Sequence, residues 1–214
     1  TSLSSWRATD FSWFDDLGGL PTPPYVLLVE DRADEDSDQF TQEFRFTSNN
    51  DSGVSWVAGL FLFHEDVNRS ENFVVDALPP FPSFVGGDVT FTQNATNQSV
   101  AGFAQMTWPV TETVNLTGGV RLTWDSKEIL ARGIDNDTPG GPFPGIPLGP
   151  PPLGVAFPGG VTGEESWTEP TWRLAADWRP NDNILAYASY DRGYKSGLYP
   201  SQAQNAVQAS TPLD

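Results

Sequence analysis

Hydrophobic and polar residues alternate without interruption from Val114 to Trp124. The even-numbered positions are apolar or glycine, and the odd-numbered positions are polar or glycine. A period of two residues predicts a β-strand with one apolar face and one polar face. Pro109 cannot donate a backbone hydrogen bond, so it ends the preceding strand and leaves only Pro109 to Thr113 to reverse the chain. The stretch Gln98 to Glu128 therefore predicts a long hairpin with a tight turn.

The same unit recurs twice, which brings the predicted number of strands to about seven when Ser2 to Phe14 is added as the first strand. A tryptophan lies beside each tight turn: Trp56, Trp108 and Trp178. The other two predicted hairpins are Asp38 to Ser48 with Val54 to Asp66 around the turn Asn49 to Gly53, and Ser166 to Trp178 with Ile184 to Lys195 around the turn Arg179 to Asn183.

Long segments rich in polar residues, Gly and Pro join one predicted hairpin to the next: Leu17 to Ser37, Val67 to Asn97 and Ile129 to Glu165. Short turns at one end, long loops at the other and aromatic residues at the short-turn rim are typical of an outer-membrane β-barrel. A strand of about 12 residues, rising about 3.3 Å per residue and tilted by about 45°, crosses the roughly 30 Å hydrocarbon core. The predicted fold is all-β, with short periplasmic turns and long extracellular loops.

Charge and composition exclude several classes of function. The net charge is −17 with only 11 basic residues, which argues against a nucleic-acid surface. The one histidine, His64, lacks the neighbours needed for a zinc site or a Ser-His-Asp triad, so we predict no metal site, no cofactor and no catalysis. The acidic run from Glu30 to Asp38 is interpreted as a solvated loop.

Alternation also assigns directions to side chains. Leu122 and Leu174 are predicted to face lipid, whereas charged residues of the opposite parity are predicted to face the lumen: Glu43, Arg45, Arg121, Asp125, Arg173 and Asp177. Apolar residues in the long loops are the predicted ligand contacts: Phe81, Phe84, Ile134, Phe143 and Phe157.

Three stretches carry a specific resemblance. They are Leu185 to Gly197 (LAYASYDRGYKSG), Gln42 to Phe46 (QEFRF) followed by Trp56 to Glu65 (WVAGLFLFHE), and Leu116 to Asp125 (LTGGVRLTWD). In this order they resemble the barrel strands of TonB-dependent outer-membrane receptors. The resemblance implies a barrel of about 22 strands around a plug. Residues 1–214 would then be a middle section of one barrel domain, without the plug and the C-terminal strands.

The resemblance further implies a function and partners. Such a receptor lies in the bacterial outer membrane, in contact with its lipid. It imports a scarce ligand such as a ferric siderophore, cobalamin or a glycan fragment, and TonB supplies energy through the plug. The sequence does not name the ligand, because specificity would come from the loops and the plug.

Two other functions compete with this interpretation. A secreted β-sandwich that binds carbohydrate or acts as an adhesin would explain the acidic charge, but it would explain neither the strand lengths nor the asymmetry of the turns. A passive porin would keep the barrel. The apolar residues of both parities from Trp56 to Phe63 count against a porin, because they indicate a strand covered on both faces.

Overall fold

The computed structural model describes residues 1–16, 26–48, 53–78, 86–136, 157–203 and 205–213. Seven antiparallel strands form one sheet in which each strand pairs with the next along the chain. The strands are β1 (Ser2–Asp16), β2 (Val26–Thr47), β3 (Ser55–Leu78), β4 (Gly86–Pro109), β5 (Val114–Asp135), β6 (Val161–Asn181) and β7 (Ile184–Arg192), followed by helix α1 (Ala206–Ser210). The all-β fold and the seven strands predicted from the sequence are confirmed.

The register divides the sheet into two faces by residue parity. Partners across β1 to β6 always share parity, as in Phe44 with Leu60 and Gly102 with Leu122. The rule extends into β7 until the register shifts between Trp178 and Asn181. Because side chains alternate along a strand, the even-numbered residues lie on one side, the even face, and the odd-numbered residues on the other, the odd face.

The exposed large hydrophobic side chains of the five central strands are all even-numbered among the described residues. They are Phe40, Phe44, Phe46, Trp56, Leu60, Leu62, Val100, Met106, Trp108, Leu116, Val120, Leu122, Trp124, Leu174 and Trp178. On β5 this apolar band runs from Val114 to Trp124. At about 3.4 Å per residue and a tilt of about 45° it is about 24 Å tall, close to the lipid-facing band of an outer-membrane barrel.

The central strands are longer than predicted, with 21 to 24 residues each in β2 to β6. The predicted loops are wrong where these strands continue beyond the apolar band, at residues 26–37, 67–78, 86–97, 129–135 and 161–165. We call this polar part of the sheet the outer extension. Residues 17–25, 79–85 and 137–156 of the predicted loops lie outside the described residues.

Cross-strand hydrogen bonds between polar side chains explain why the outer extension stays paired. Thr96 Oγ1 donates to Asp66 at 2.7 Å, Asn97 Nδ2 donates to Glu65 at 2.9 Å, and Asn94 donates to Asn68. Pairs of this kind each add about 0.2–1 kcal/mol to an antiparallel sheet. Summed along two strands, they contribute to the pairing of the outer extension.

The tight turns lie together at the end of the sheet opposite the outer extension. In the turn at Pro109–Thr113, the amide of Val110 donates to the carbonyl of Val114 at 2.9 Å, as a tight reversal requires. The third turn is shorter than predicted, because β6 continues to Asn181, whose Oδ1 accepts the amide of Asn183 at 3.0 Å. Residues 49–52 of the first turn lie outside the described residues.

Candidate functional site on the odd face

The odd face carries all six residues predicted to face the lumen. Glu43 and Arg45 lie on β2, Arg121 and Asp125 on β5, and Arg173 and Asp177 on β6, each with an odd-numbered partner across the sheet. Leu122 and Leu174, predicted to face lipid, lie on the even face. The sheet therefore separates charge from apolar surface, as a membrane wall with a polar interior requires.

Most charged groups of the odd face within the apolar band have a polar partner nearby. Arg45 lies 2.6 Å from Glu43, and Arg173 lies 3.6 Å from Asp191. Asp177 accepts a hydrogen bond of 2.8 Å from the side-chain amide of Asn115. Charges at membrane depth are costly unless they are paired or face water, so this pairing fits a face turned away from lipid.

Arg121 is held differently, by aromatic rings. Its guanidinium carbon lies 5.4 Å from the centre of the Phe61 ring and 6.0 Å from that of Phe103, and Nε donates to Thr123 at 3.0 Å. The Phe103 ring lies so close to Gly59 that a Cβ there would be 2.6 Å from it. Phe61 is one of the apolar odd positions that the sequence showed from Trp56 to Phe63, and its ring contacts Arg121 on the odd face.

A segment that the sequence did not reveal covers the odd face of the outer extension. Residues 195–203 and 205–213, which we call the fold-back segment, leave β7 and cross β5 and β6. Lys127 Nζ donates to the carbonyl of Gly197 at 2.7 Å, and burial lowers the pKa of Lys127. Ala203 and Ala209 pack with Ile129 and Ala131, the main buried apolar cluster of the described residues.

Glycine permits the close approach of the fold-back segment. A Cβ on Gly163 of β6 would lie 2.7 Å from the Tyr199 ring and 2.9 Å from the carbonyl oxygen of Ser210. Both distances are shorter than carbon atoms tolerate, so the segment needs glycine at this position. The segment itself is closed by a bridge between Leu198 and Leu213 and contains α1, whose N-cap is Asn205.

A buried pair of carboxyl groups adjoins the fold-back segment. Asp31 is 4% exposed and Glu71 is 1% exposed, and their side chains are in hydrogen-bond contact. Glu71 also lies 3.0 Å from Arg69 and accepts the side-chain amide of Gln202. Burial, and then the charge of Glu71, raise the pKa of Asp31. The prediction that Glu30 to Asp38 forms a solvated loop is therefore wrong, because these residues belong to β2 and Asp31 is buried.

The structure describes two of the five predicted ligand contacts. Ile134 lies in β5 on the even face, not in a loop as predicted, and Phe157 packs beside Ile129 and Ala131. Their contact with a ligand stays a prediction. Phe81, Phe84 and Phe143 lie outside the described residues.

The described residues hold neither a cluster of three metal-binding side chains nor a helix able to cross a membrane. His64 lies on β3 with Nε2 at 3.1 Å from Asp66. That contact is a hydrogen bond between two exposed side chains. The charged groups described on the odd face contact other charged groups, polar groups or aromatic rings.

Comparison with known proteins places this geometry in a family. The family model described as TonB dependent receptor-like, beta-barrel, matches residues 2–213. The crystal structure of the ferric yersiniabactin uptake receptor FyuA from Yersinia pestis is similar in fold, with a TM-score of 0.52 and 19% identity over 88% of this chain. The chain spans 24% of that receptor. No curated protein matches the sequence.

These findings decide between the folds that the sequence left open. A β-sandwich requires two packed sheets, whereas the described strands form one sheet whose even face exposes its hydrophobic residues. The family match favours a receptor barrel over a porin. The chain belongs to the TonB-dependent receptor family, as part of its β-barrel.

Proposed function

We propose that this chain is a section of the wall of a bacterial outer-membrane receptor that takes up a scarce ligand with energy supplied through TonB. The observation that carries the proposal is that, in the apolar band of β2 to β6, the even face exposes hydrophobic residues and the odd face carries the charged ones, in a chain of this family. The even face contacts lipid, and the odd face lines the lumen. No step of the proposal requires catalysis or a cofactor.

A ferric siderophore is the first ligand class to test, because the similar receptor takes up ferric yersiniabactin. Cobalamin and glycan fragments are the alternatives. In this proposal, Glu43, Arg45, Arg121, Asp125, Arg173 and Asp177 face the lumen, and a plug domain transmits the action of TonB. Phe81, Phe84, Phe143 and Phe157 are the proposed apolar contacts for the ligand at the outer end, whereas Ile134 lies on the even face, outside the lumen.

Uptake by the native host tests the function. Deleting the gene should abolish uptake of one radiolabelled class of ligand, ferric siderophore, cobalamin or glycan, and the full-length gene should restore it. Inactivation of TonB should abolish uptake without reducing the amount of folded receptor. Uptake that persists without TonB would contradict active transport and favour a passive pore.

Replacement of the segment 137–156 tests whether a loop captures the ligand. Replacing it with a short Gly/Ser connector should leave the full-length receptor folded, as judged by heat-modifiable gel migration, but should weaken ligand binding and uptake. Its many prolines restrict the chain, so less entropy is lost when it closes over a ligand. A variant that folds and imports at the parental rate would exclude a capture role for this loop.

A further inference from the structure

The junction between β2, β3 and the fold-back segment brings carboxyl groups together in a buried place. Asp31 lies directly opposite Asp15 of β1 in the register and contacts Glu71 of β3 on its other side. The nearest cation is Arg69, but its guanidinium is already shared between Glu71 at 3.0 Å and Glu35 at 3.2 Å. One cation therefore faces several carboxylates, two of which are buried.

One polar atom among these carboxyl groups lacks a hydrogen-bond partner. The Oδ1 atom of Asp31 is buried and has no hydrogen-bond partner among the described residues. Glu71 is satisfied by Arg69 and by Gln202 of the fold-back segment, whereas Asp31 relies on its contact with Glu71. Two ionised carboxylates in contact repel each other, and a single proton between them replaces that repulsion with a hydrogen bond.

We propose that Asp31 and Glu71 form a proton-dependent clasp that holds the fold-back segment on the odd face. With one proton shared between the two carboxyl groups, Glu71 keeps its position beneath Gln202 and the segment stays docked. When that proton is lost to water, repulsion displaces Glu71, breaks its contact with Gln202 and loosens the segment. Tyr199, Ala203 and Ala209 then leave the surface formed by Ile129, Ala131 and Gly163.

The direction of the pH dependence follows from the raised pKa of Asp31. A carboxyl group whose pKa is higher in the docked state binds its proton more tightly there than in the released state. Lowering the pH through that raised value stabilises docking, and raising the pH from there promotes release. Glu71 and Asp15 oppose ionisation of Asp31, and Arg69 favours it. Because Asp31 contacts Glu71, a proton bound by this pair removes the repulsion between its two carboxylates.

Thiol accessibility in the full-length receptor tests the clasp. Cysteine replaces Ala203, which is 3% exposed, or Val207, which is 73% exposed and reports the reactivity of a free thiol in the same segment. Both variants, in an otherwise cysteine-free receptor, react with 4,4′-dithiodipyridine, which is active at acidic pH. The ratio of the two rates should rise as the pH is raised from about pH 3 to about pH 8, because docking is stabilised below the raised pKa of Asp31 and weakened above it.

Substitutions of Asp31 and Gln202 identify the groups responsible, and a substitution of Asp36 is the control. Asp31→Asn keeps the size and the hydrogen bond of the protonated side chain, so the ratio should stay low at both pH values. Asp36→Asn is the matched control, because Asp36 lies on the same strand but on the even face, opposite Asp10. That variant should keep the parental pH dependence. Gln202→Ala should raise the ratio at both pH values, because it removes the contact with Glu71.

None of these measurements depends on ligand uptake, so they test the clasp separately from the proposed transport function. A ratio that does not change with pH in the parent, or that changes equally in Asp31→Asn, would overturn the clasp. Loss of the pH dependence in Asp36→Asn would assign it to another carboxyl pair and would overturn it as well. If Asp31→Asn fails to fold, the parent and Gln202→Ala still decide the matter, since both must behave as stated.

Discussion

Placing a charge on the even face of β6 should destabilise the receptor much more than placing it on the odd face. Leu174 is 59% exposed and lies near the middle of the apolar band, level with Met106. An arginine at the midplane of an outer-membrane barrel costs about 2–4 kcal/mol on the lipid side. Leu174→Arg should therefore lower the ratio of folded to unfolded protein by about 30-fold to 700-fold.

Ser189→Arg is the matched control. Ser189 is an exposed residue of the odd face, paired with Ala175, which is adjacent to Leu174 on β6. An arginine there can reach water or carboxylates in the lumen, so its cost should be under about 1 kcal/mol. The assay is reversible unfolding of the full-length receptor in phospholipid vesicles, followed by heat-modifiable gel migration. Equal costs at the two positions, or a larger cost at Ser189, would refute the assignment of the faces.

Two glycines give further predictions, each with a glycine control. A Cβ on Gly59 would lie 2.4 Å from the backbone oxygen of Phe44, so Gly59→Ala should destabilise by about 1–3 kcal/mol, whereas Gly102→Ala, which meets an ordinary contact at 3.7 Å, should change stability little. Denaturant midpoints of the two variants measure this difference. Gly163→Ala should displace the fold-back segment and increase thiol labelling at position 203, whereas Gly193→Ala, which meets nothing within 4 Å, should leave labelling unchanged.

The two faces and the strand order were predictable because they depend on local pattern. Period-two alternation from Val114 to Trp124 defines the faces of β5, and tight turns such as Pro109 to Thr113 make consecutive strands pair. A one-residue slip in register would turn Leu122 from the even face to the odd face and move Arg121 onto the apolar even face. The alternation in the sequence therefore specifies the register that the structure has.

The outer extension was not predictable from hydrophobic pattern, because its strands are held by pairs of polar residues. Asn68 and Asn94, or Asp66 and Thr96, become partners only once the register is known. Read singly along the chain, such residues are typical of loops. The prediction of long loops failed for this reason, even though the strands were correctly placed within the apolar band.

The fold-back segment was missed for a different physical reason. Gln202 and Glu71 are 131 residues apart, and Lys127 and Gly197 are 70 residues apart. Neither contact leaves a local signal, and small residues such as Ala203 and Ala209 do not stand out as a core. Gly163 was the available clue, since a glycine within a strand often marks the point where another segment approaches the backbone.

The assignment of the faces is tested most directly by spin labels placed one at a time at positions 116–124 of β5 in the full-length receptor, reconstituted in lipid vesicles. Collision with oxygen, which concentrates in lipid, and with a water-soluble nickel chelate is measured at each position. We expect a period of two: higher oxygen accessibility at Leu116, Val120, Leu122 and Trp124, and lower oxygen accessibility at Thr117, Arg121 and Thr123. Accessibility that does not alternate, or that alternates in the opposite sense, would contradict the assignment of the even face to lipid.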